Sequence, residues 1–455
     1  MMAATLVKAA LDPVIGRRKF ASLLAAAACT ALPLRIGTAL AAPGTQRTAA
    51  VFAHYMVCCP AAGGAPTLDD FRKEITAAQS RGIDGFALNC GGWAKEPHYQ
   101  ARSQLMFDAA AGSEFKLFFS ADQVTAEEAS DMVSRFEAHG NYFRHQGKPV
   151  LSSFAGDPEW GQRIVGNLAR QGIAVFFVPY FYPKPASELP SAAAARQVFA
   201  AASFADGFFY FGATGRSDEL VAATARIAPL WLAAGKVFMA SVTPFYRGLG
   251  GNYRAFETRG FEAMAAEWEA AIELGATWIE IVTWNDWGEA SYVAPFGRPS
   301  STLLWDDHWG PMLSHVAYLD ASRYYIDWFK SGSRPVIELD RLYYFYRLHP
   351  TRLPGRIAPD QTKQGLPRNA GTLEDRVFAT LFLKGPASLT ILSGRKSESF
   401  DLPAGVHHVS SLFDIGAQRF IVKRGESVII DKTGEFEINR DPWSNYNYFG
   451  GSGVP

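Results

Sequence analysis

The sequence predicts an α/β fold, a (β/α)8 TIM barrel followed by a small C-terminal β-sandwich. Between about residues 50 and 285, eight short apolar runs alternate with segments of helical periodicity. Eight strand–helix units within roughly 240 residues match the count and size of such a barrel. From about Thr372 the pattern changes to short strands separated by glycine and proline turns, which is typical of a β-sandwich.

The predicted barrel strands are buried-type runs, each followed by helical sequence. The first helix begins after Thr67, a suitable N-cap, and stops at Gly82. Its apolar face includes Leu68, Phe71 and Ile75. An open doubly wound sheet is the alternative, but CCPAAGGAP after the first strand lacks the G-x-G-x-x-G spacing of nucleotide-binding turns. The strands are AAVFAHYMV, IDGFALN, FKLFFSAD, KPVLSSF, GIAVFFVPY, ADGFFYFG, KVFMASVTP and TWIEIVTWN.

Shifts in composition divide the chain into four parts. An export signal occupies residues 1–41, where Arg17-Arg18-Lys19-Phe20 precede an apolar stretch that is too short to span a bilayer. The paired arginines resemble a twin-arginine signal and predict a periplasmic or extracellular protein. The catalytic barrel follows at 48–347, a linker at 348–370 and the β-sandwich at 371–455.

The charge balance and the aromatic content restrict the partners. Lys plus Arg and Asp plus Glu both number 44, so the formal net charge is zero, which disfavours nucleic acid as the main partner. With 13% aromatic residues, the chain suits a protein that stacks uncharged ligands such as sugars. The strand ends carry no metal constellation or phosphate loop in the sequence, so we expect no cofactor. We expect a monomer that binds a polysaccharide and does not insert stably into a membrane after signal cleavage.

The segment WIEIVTWNDWGEA, residues 278–290, is the strongest candidate for chemistry. It places Asp286 and Glu289 three residues apart after the eighth strand, and barrel active sites lie at the carboxyl ends of strands. Glycoside hydrolysis needs two carboxyl groups, one to protonate the leaving oxygen and one to activate water or attack the sugar. Gly288 permits a bend that points both side chains into one pocket. The alternative is structural, with Glu289 capping or salt-bridging a helix and Asp286 bonding backbone.

Residues at other strand ends are expected to bind substrate. His54 follows the first strand and can bind a sugar hydroxyl or orient a carboxylate. Trp305 and Trp309 can stack on sugars or pack against the following helix. The expected substrate-binding set is His54, Asn89, Asp122, Tyr180, Trp284, Asn285 and Trp287.

Four segments, VFAHYMV, GIDGFALN, KLFFSAD and WNDWGEASYVAP, resemble the landmarks of glycoside hydrolase family 71, the α-1,3-glucanase or mutanase family. The resemblance runs from about Val51 to Pro350, includes the β-rich tail, and indicates a bacterial member. It implies hydrolysis of α-1,3-glucan with inversion at the anomeric carbon. It also implies that Asp286 and Glu289 are the catalytic pair, and we assign Glu289 as the acid and Asp286 as the residue that activates water.

The resemblance also implicates Asp84, the acid of GIDGFALN. Asp84 begins its strand, so barrel geometry puts it at the end opposite the active site and favours a structural role. Asp122 ends the third strand and is the better third carboxylate.

The chain departs from the family pattern where subsites are expected. It has Cys58-Cys59 where fungal members carry a Gly-Asn-like turn. The segments after the sixth and seventh predicted strands also differ from the family pattern. One of these cysteines is expected to bridge to Cys90, because the first two strands are neighbours. These departures keep two alternatives open: a barrel hydrolase of another glycan, similar to family 99 endo-mannosidases, and a glycan-binding protein without catalysis.

Overall fold

A computed structural model describes residues 49–183, 189–296, 309–356 and 365–455 of the chain. The predicted export signal, Trp305 and part of the predicted linker lie outside these residues. Within the described ranges, no helix is long and apolar enough to cross a lipid bilayer.

The central feature is a curled parallel sheet. In the described residues it contains eight parallel strands in the order β6-β5-β3-β2-β1-β9-β8-β7. The strands β1 and β9, which come first and last in the sequence, are therefore neighbours in the sheet. A short strand, β4, pairs antiparallel with β5. The strands are β1 Ala50–Met56, β2 Gly85–Cys90, β3 Lys116–Asp122, β4 Arg144–His145, β5 Lys148–Phe154, β6 Phe176–Pro179, β7 Gly207–Tyr210, β8 Val237–Val242 and β9 Trp278–Ile281.

Helices follow the parallel strands, and their caps explain where they begin. Thr67 Oγ1 accepts from Asp70 N at 3.3 Å, and Asp70 Oδ2 accepts from Thr67 N at 3.0 Å, which confirms Thr67 as the N-cap of α1. Phe71 and Ile75 are buried on its inner face as predicted. The helices are α1 Leu68–Gln79, α2 Pro97–Ala110, α3 Ala126–Phe136, α4 Pro158–Arg170, α5 Ala192–Ala201, α6 Ser217–Ala233, α7 Glu262–Glu273 and α8 Val316–Ser331.

Aromatic side chains fill the interior of the curled sheet towards its amino end. The ring centroids of Phe52 and Phe118 are 4.9 Å apart, and those of Phe143 and Trp278 are 5.1 Å apart. These rings are fully or nearly fully buried. Since this end is packed with apolar groups, the polar side chains that face inward are left to gather at the carboxyl ends of the strands.

Two four-stranded antiparallel sheets complete the fold. Their strand orders are β14-β11-β10-β17 and β13-β12-β15-β16. The first sheet begins with β10, ahead of the predicted linker, because β10 pairs with both β11 and β17. The strands are β10 Arg341–Tyr346, β11 Arg376–Leu383, β12 Ala387–Ser393, β13 Lys396–Leu402, β14 Gly405–Leu412, β15 Gln418–Arg424, β16 Ser427–Thr433 and β17 Phe449–Gly453. The observed architecture is thus mixed α/β, with a curled parallel sheet and additional antiparallel sheets.

A buried ion pair lies where the segment after β10 meets the segment before α7. Arg347 donates to Glu257 Oε2 at 2.9 Å, and the two side chains are only 1% and 8% exposed. The guanidinium carbon lies 4.0 Å from the ring centroid of Tyr448. Burial raises the pKa of Glu257, but the Arg347 charge and hydrogen bonds outweigh burial and hold that pKa below its usual value.

Replacing Arg347 with Met is expected to lower the free energy of unfolding by about 3–5 kcal/mol, because it leaves the Glu257 carboxylate buried without its charge partner. Urea unfolding measures the change. Arg419→Met is the matched control, since Arg419 pairs with Asp431 at 2.6 Å on the exposed face of β15. We expect almost no change in its urea midpoint. Equal midpoints for the two variants would contradict the role given to Arg347.

Candidate active site

Asp286 and Glu289 lie in one tight turn directly after β9. Asp286 N donates to Thr283 Oγ1 at 2.8 Å, and Glu289 N donates to Asp286 Oδ1 at 2.8 Å. The Asp286 carboxylate therefore does bond backbone, as the structural alternative predicted, and this bond holds the Glu289 backbone beside it. Both residues follow the carboxyl end of β9 and are half-buried.

A loop after β8 holds the Glu289 side chain. Tyr246 donates its hydroxyl to Glu289 Oε1 at 3.0 Å, and Asn252 Nδ2 donates to the Tyr246 hydroxyl at 2.8 Å. Burial, followed by the nearby Glu289 charge, raises the pKa of Tyr246, so the phenol stays a neutral donor. Sequence reasoning missed Asn252, and its loop carries no pattern that indicates this contact.

Arg247 supports the same turn from beneath. Its backbone N donates to Glu289 O at 2.7 Å, and its guanidinium donates to Gly288 O at 2.7 Å. The guanidinium carbon lies 3.7 Å from the ring centroid of Trp309, which is only 5% exposed. Burial lowers the pKa of Arg247 to about 10. Trp309 therefore packs beneath the turn, and a positive charge lies close to both carboxyl groups.

His54 and Glu280 form a buried pair inside the sheet. His54 Nδ1 lies 2.6 Å from Glu280 Oε1, and the two side chains are 1% and 0% exposed. Glu280 pairs in register with Phe52 and Ser241, whose side chains face the same interior. Glu280 was not among the predicted site residues. A single acid in an apolar strand nevertheless indicates a buried carboxyl group that needs a partner. The pair links the His54 side chain of β1 to the Glu280 side chain of β9.

Asn89 and Asp122 end two neighbouring strands, and Asn89 Nδ2 donates to Asp122 Oδ2 at 3.3 Å. Burial raises the pKa of Asp122, while the Asn89 hydrogen bond and the charge of His54 act in the opposite direction. Burial also raises the pKa of Asp286, and the Glu289 backbone, His54 and Arg247 oppose it. The charge of His54 thus opposes the effect of burial at both carboxyl groups, and the hydrogen bond between Asn89 and Asp122 brings two predicted residues together.

Two other predicted substrate-binding residues are buried. Trp284 is fully buried and donates its indole N–H to Glu74 Oε2 at 2.8 Å. Asn285 is also fully buried; its amide accepts from Met56 N at 2.7 Å and donates to Cys59 O at 2.8 Å. Their polar groups are engaged within the protein, and contact of either residue with the substrate stays a prediction.

The two remaining predicted residues differ in exposure. Tyr180 is 2% exposed and its ring centroid lies 6.3 Å from that of Phe211. Trp287 is half-buried and donates its indole N–H to Cys59 O at 2.9 Å. Trp287 is therefore the tryptophan next to the acid pair that keeps an accessible surface.

Asp84 lies at the amino ends of the strands. Its carboxylate accepts from Val51 N at 2.8 Å and from Lys330 Nζ at 2.6 Å. These contacts tie β1 and α8 together and give Asp84 a structural role. A cavity of about 570 Å³ near this end, lined in part by Arg81 and Tyr343, is likewise separate from the acid pair.

Comparison with known proteins places this geometry in a family. The profile described as Glycosyl hydrolase family 71 matches residues 47–454. The chain belongs to glycosyl hydrolase family 71. It is a glycoside hydrolase.

Relatives of this family 71 enzyme have been described in two fungi. A mutanase of Penicillium rubens is 27% identical over 420 residues, which cover 88% of this chain and 87% of the relative. A glucan endo-1,3-alpha-glucosidase of Schizosaccharomyces pombe is 28% identical over 413 residues, covering 85% of this chain and 91% of the relative. The bacterial origin indicated by the sequence stays a prediction. A solved GH99 endo-alpha-mannosidase from Bacteroides thetaiotaomicron overlays with a TM-score of 0.49 at 19% identity, covering 62% of this chain and 98% of that chain.

The cysteines of the family 71 enzyme pair differently from the prediction. Cys58 and Cys59 form a disulfide with each other, and Cys90 is a buried thiol. The predicted bridge to Cys90 is wrong because the Cys90 sulfur faces α2, where it lies 3.7 Å from Ser103 Oγ. Burial raises the pKa of the Cys90 thiol, which keeps it protonated.

Glu74 of α1 supports the back of the site and titrates near neutrality. It accepts from Tyr55 and Trp284, but burial outweighs these hydrogen bonds and raises its pKa from 4.5 to about 7. A raised pKa in the folded state stabilises the fold fully below about pH 4.5, and this contribution is lost as the pH rises through about 7.

We expect the free energy of unfolding of this family 71 enzyme to fall between pH 5 and pH 8, with Glu74 accounting for roughly 2–3 kcal/mol of the fall. Urea unfolding of wild type and Glu74→Gln at both pH values measures this contribution, because glutamine does not titrate. Asp69→Asn is the control, since Asp69 is an exposed acid on the same helix. A fall of equal size in wild type and Glu74→Gln would contradict the assignment.

Proposed function

We propose that this enzyme hydrolyses α-1,3-glucan with Asp286 and Glu289 as its catalytic carboxyl pair. The observation that carries the proposal is the turn after β9, in which Glu289 N donates to Asp286 Oδ1 at 2.8 Å in a chain of family 71. The names of the two fungal relatives, a mutanase and a glucan endo-1,3-alpha-glucosidase, support the substrate.

We infer an inverting mechanism in which the two carboxyl groups have different roles. Burial raises the pKa of Asp286, but a backbone hydrogen bond and the charges of His54 and Arg247 oppose burial, and we assign Asp286 as the residue that activates water. Glu289 accepts from the Tyr246 hydroxyl at Oε1, and we assign the transferable proton to its other oxygen. The acid protonates the leaving glycosidic oxygen while the activated water attacks the anomeric carbon from the opposite face. Half-buried Trp287, together with Asn89 and Asp122, is proposed to contact the sugar.

The closed form of the fold is also a proposal. The parallel sheet closes into a (β/α)8 barrel if β6 meets β7, and two contacts support this: Asp206 N donates to Phe177 O, and Phe177 N donates to Asp206 Oδ2, each at 3.0 Å. The antiparallel sheets would form a sandwich, supported by Tyr344 and Phe420, which stack at 4.3 Å across the two sheets.

We infer that the enzyme acts outside the cytoplasm as a monomer on a neutral polysaccharide and uses neither a cofactor nor nucleic acid. The arginine pair and the apolar stretch of residues 1–41 support export, and the zero net charge supports an uncharged partner.

A panel of polysaccharides tests the proposed substrate. Residues 42–455 are incubated with α-1,3-glucan, starch, dextran and α-mannan, and release of reducing ends is measured. We expect release from α-1,3-glucan alone. Release from α-mannan alone would be consistent with hydrolysis by the carboxyl pair but would contradict α-1,3-glucan as the substrate. Binding to a glycan without release from any polymer would favour the non-catalytic alternative.

A further inference from the structure

The loop after β1 contains a disulfide between adjacent residues, Cys58 and Cys59, close to the acid pair. Both residues are half-buried. Such a bond closes a small ring that includes the peptide linking the two residues, so the backbone at this point loses much of its rotational freedom. A rigid ring also limits how the groups attached to it, such as the Cys59 carbonyl, can move.

The Cys59 carbonyl is the link between this ring and the turn after β9. It accepts from Trp287 Nε1 at 2.9 Å and from Asn285 Nδ2 at 2.8 Å. These donors are the residues immediately before and after Asp286 in the chain. A single carbonyl oxygen thus holds both neighbours of the residue proposed to activate water.

Other contacts anchor the ring to the rest of the fold. The Cys58 carbonyl accepts from Arg102 of α2 at 2.5 Å, and the same side chain donates to the carbonyl of Gly64 at 2.9 Å. On the other side, Cys59 N donates to Met56 O at 3.0 Å. The loop is thus fixed to α2 and β1, and the Cys59 carbonyl is attached to the ring at the Cys59 Cα, so a change in ring conformation is expected to move this carbonyl.

We propose that the Cys58–Cys59 disulfide is a positioning element of the active site, which fixes the Cys59 carbonyl and through it the orientation of Trp287, Asn285 and Asp286. The role rests on the proposed hydrolytic function. Positioning acts on the transition state more than on substrate binding, so loss of the ring should lower kcat by a larger factor than it raises KM. Because small misplacements of catalytic groups cost up to about a hundredfold, we expect kcat to fall roughly tenfold to a hundredfold.

The first test needs no activity. The mature protein is labelled with 15N at its tryptophan indoles and observed with and without dithiothreitol, which gives two electrons and two protons to the disulfide and closes into its own cyclic disulfide. We expect the Trp287 indole signal, assigned by its absence in Trp287→Phe, to shift on reduction. The Trp268 indole, which donates to Ser322 Oγ at 3.1 Å, is the control and should stay in place. An unmoved Trp287 signal in protein whose reduction is verified by mass would overturn the proposal.

The second test is kinetic and uses whichever glycan the wild type cleaves. Dithiothreitol should lower kcat of the wild type and leave the Cys58→Ser/Cys59→Ser variant, already slow, unchanged. Urea midpoints of oxidised wild type and this variant control for unfolding. Because the disulfide is proposed to act through Trp287, its reduction should cost less in Trp287→Phe than in wild type. An equal kcat for oxidised wild type and the serine variant would overturn the proposal. If oxidised wild type cleaves nothing, the proposed function fails, and the indole signals still decide the role of the disulfide.

Discussion

Glu289→Gln is expected to lower kcat/KM on α-1,3-glucan by roughly 10²- to 10⁴-fold while hydrolysis of an α-linked glucosyl fluoride is largely retained. Glutamine keeps the shape and can still accept from Tyr246, but it has no proton to give to the leaving oxygen. Fluoride leaves without protonation, so a fluoride substrate does not need the acid. Initial rates on both substrates measure the difference between the loss on the glucan and the loss on the fluoride.

Asp286→Asn is expected to lose activity on both substrates by a similar factor, because both reactions need an activated water. Asp84→Asn is the matched control: it is also a change from carboxylate to amide, but at the amino ends of the strands, where asparagine can still accept from Val51 N. We expect its rate to equal that of wild type. A folded Asp84→Asn protein without activity would contradict the assignment of the pair, as would full activity on the polymer in Glu289→Gln.

His54→Gln is expected to move the acid limb of the kcat/KM profile to higher pH and to lower the rate at the acid end roughly tenfold or more. The charge of His54 opposes the effect of burial, which raises the pKa of Asp286. When that charge is removed, the pKa of Asp286 rises further, and the water-activating carboxylate becomes protonated at a higher pH than in wild type. The pH dependence of kcat/KM measures the shift, with Asp122 and Glu280 kept unchanged in the variant.

A double variant separates this electrostatic effect from a loss of folding. His54→Gln alone leaves the Glu280 carboxylate buried without a charge partner, which should lower the free energy of unfolding by about 3–5 kcal/mol. His54→Gln/Glu280→Gln removes that buried charge and should recover most of this stability. The acid limb should stay at the higher pH, because the contribution of the His54 charge to the pKa of Asp286 is still missing. A wild-type profile in the double variant would show that His54 does not act on Asp286 through its charge.

The sequence predicts the main elements of this site because they follow from local patterns. Asp286 and Glu289 directly follow an apolar run, and the carboxyl ends of parallel strands meet at one edge. The burial of Trp284 and Asn285 could not be predicted from the strand pattern, for a physical reason. The regular strand β9 ends at Ile281, so the alternation of faces along the strand does not extend to these two residues.

Other features depend on partners that are distant in the chain. The aromatic run of β10 joins an antiparallel sheet through β11 and β17, which follow much later in the sequence. The spacing of three cysteines does not determine which sulfur atoms meet, because that depends on the face of β2 on which Cys90 lies. The hydrogen bond of Asn252 to Tyr246 connects residues of one irregular loop, for which periodicity gives no signal.

The anomeric configuration of the first product tests the proposed hydrolysis most directly. Soluble α-1,3-linked glucose oligosaccharides are mixed with the wild-type enzyme, and the anomeric proton signals are followed by NMR before mutarotation mixes them. We expect the β-anomer to appear first with the wild type, and no new reducing end to appear with Asp286→Asn/Glu289→Gln. Initial release of the α-anomer, or no new reducing end with the wild type, would contradict inverting hydrolysis of α-1,3-glucan by this pair.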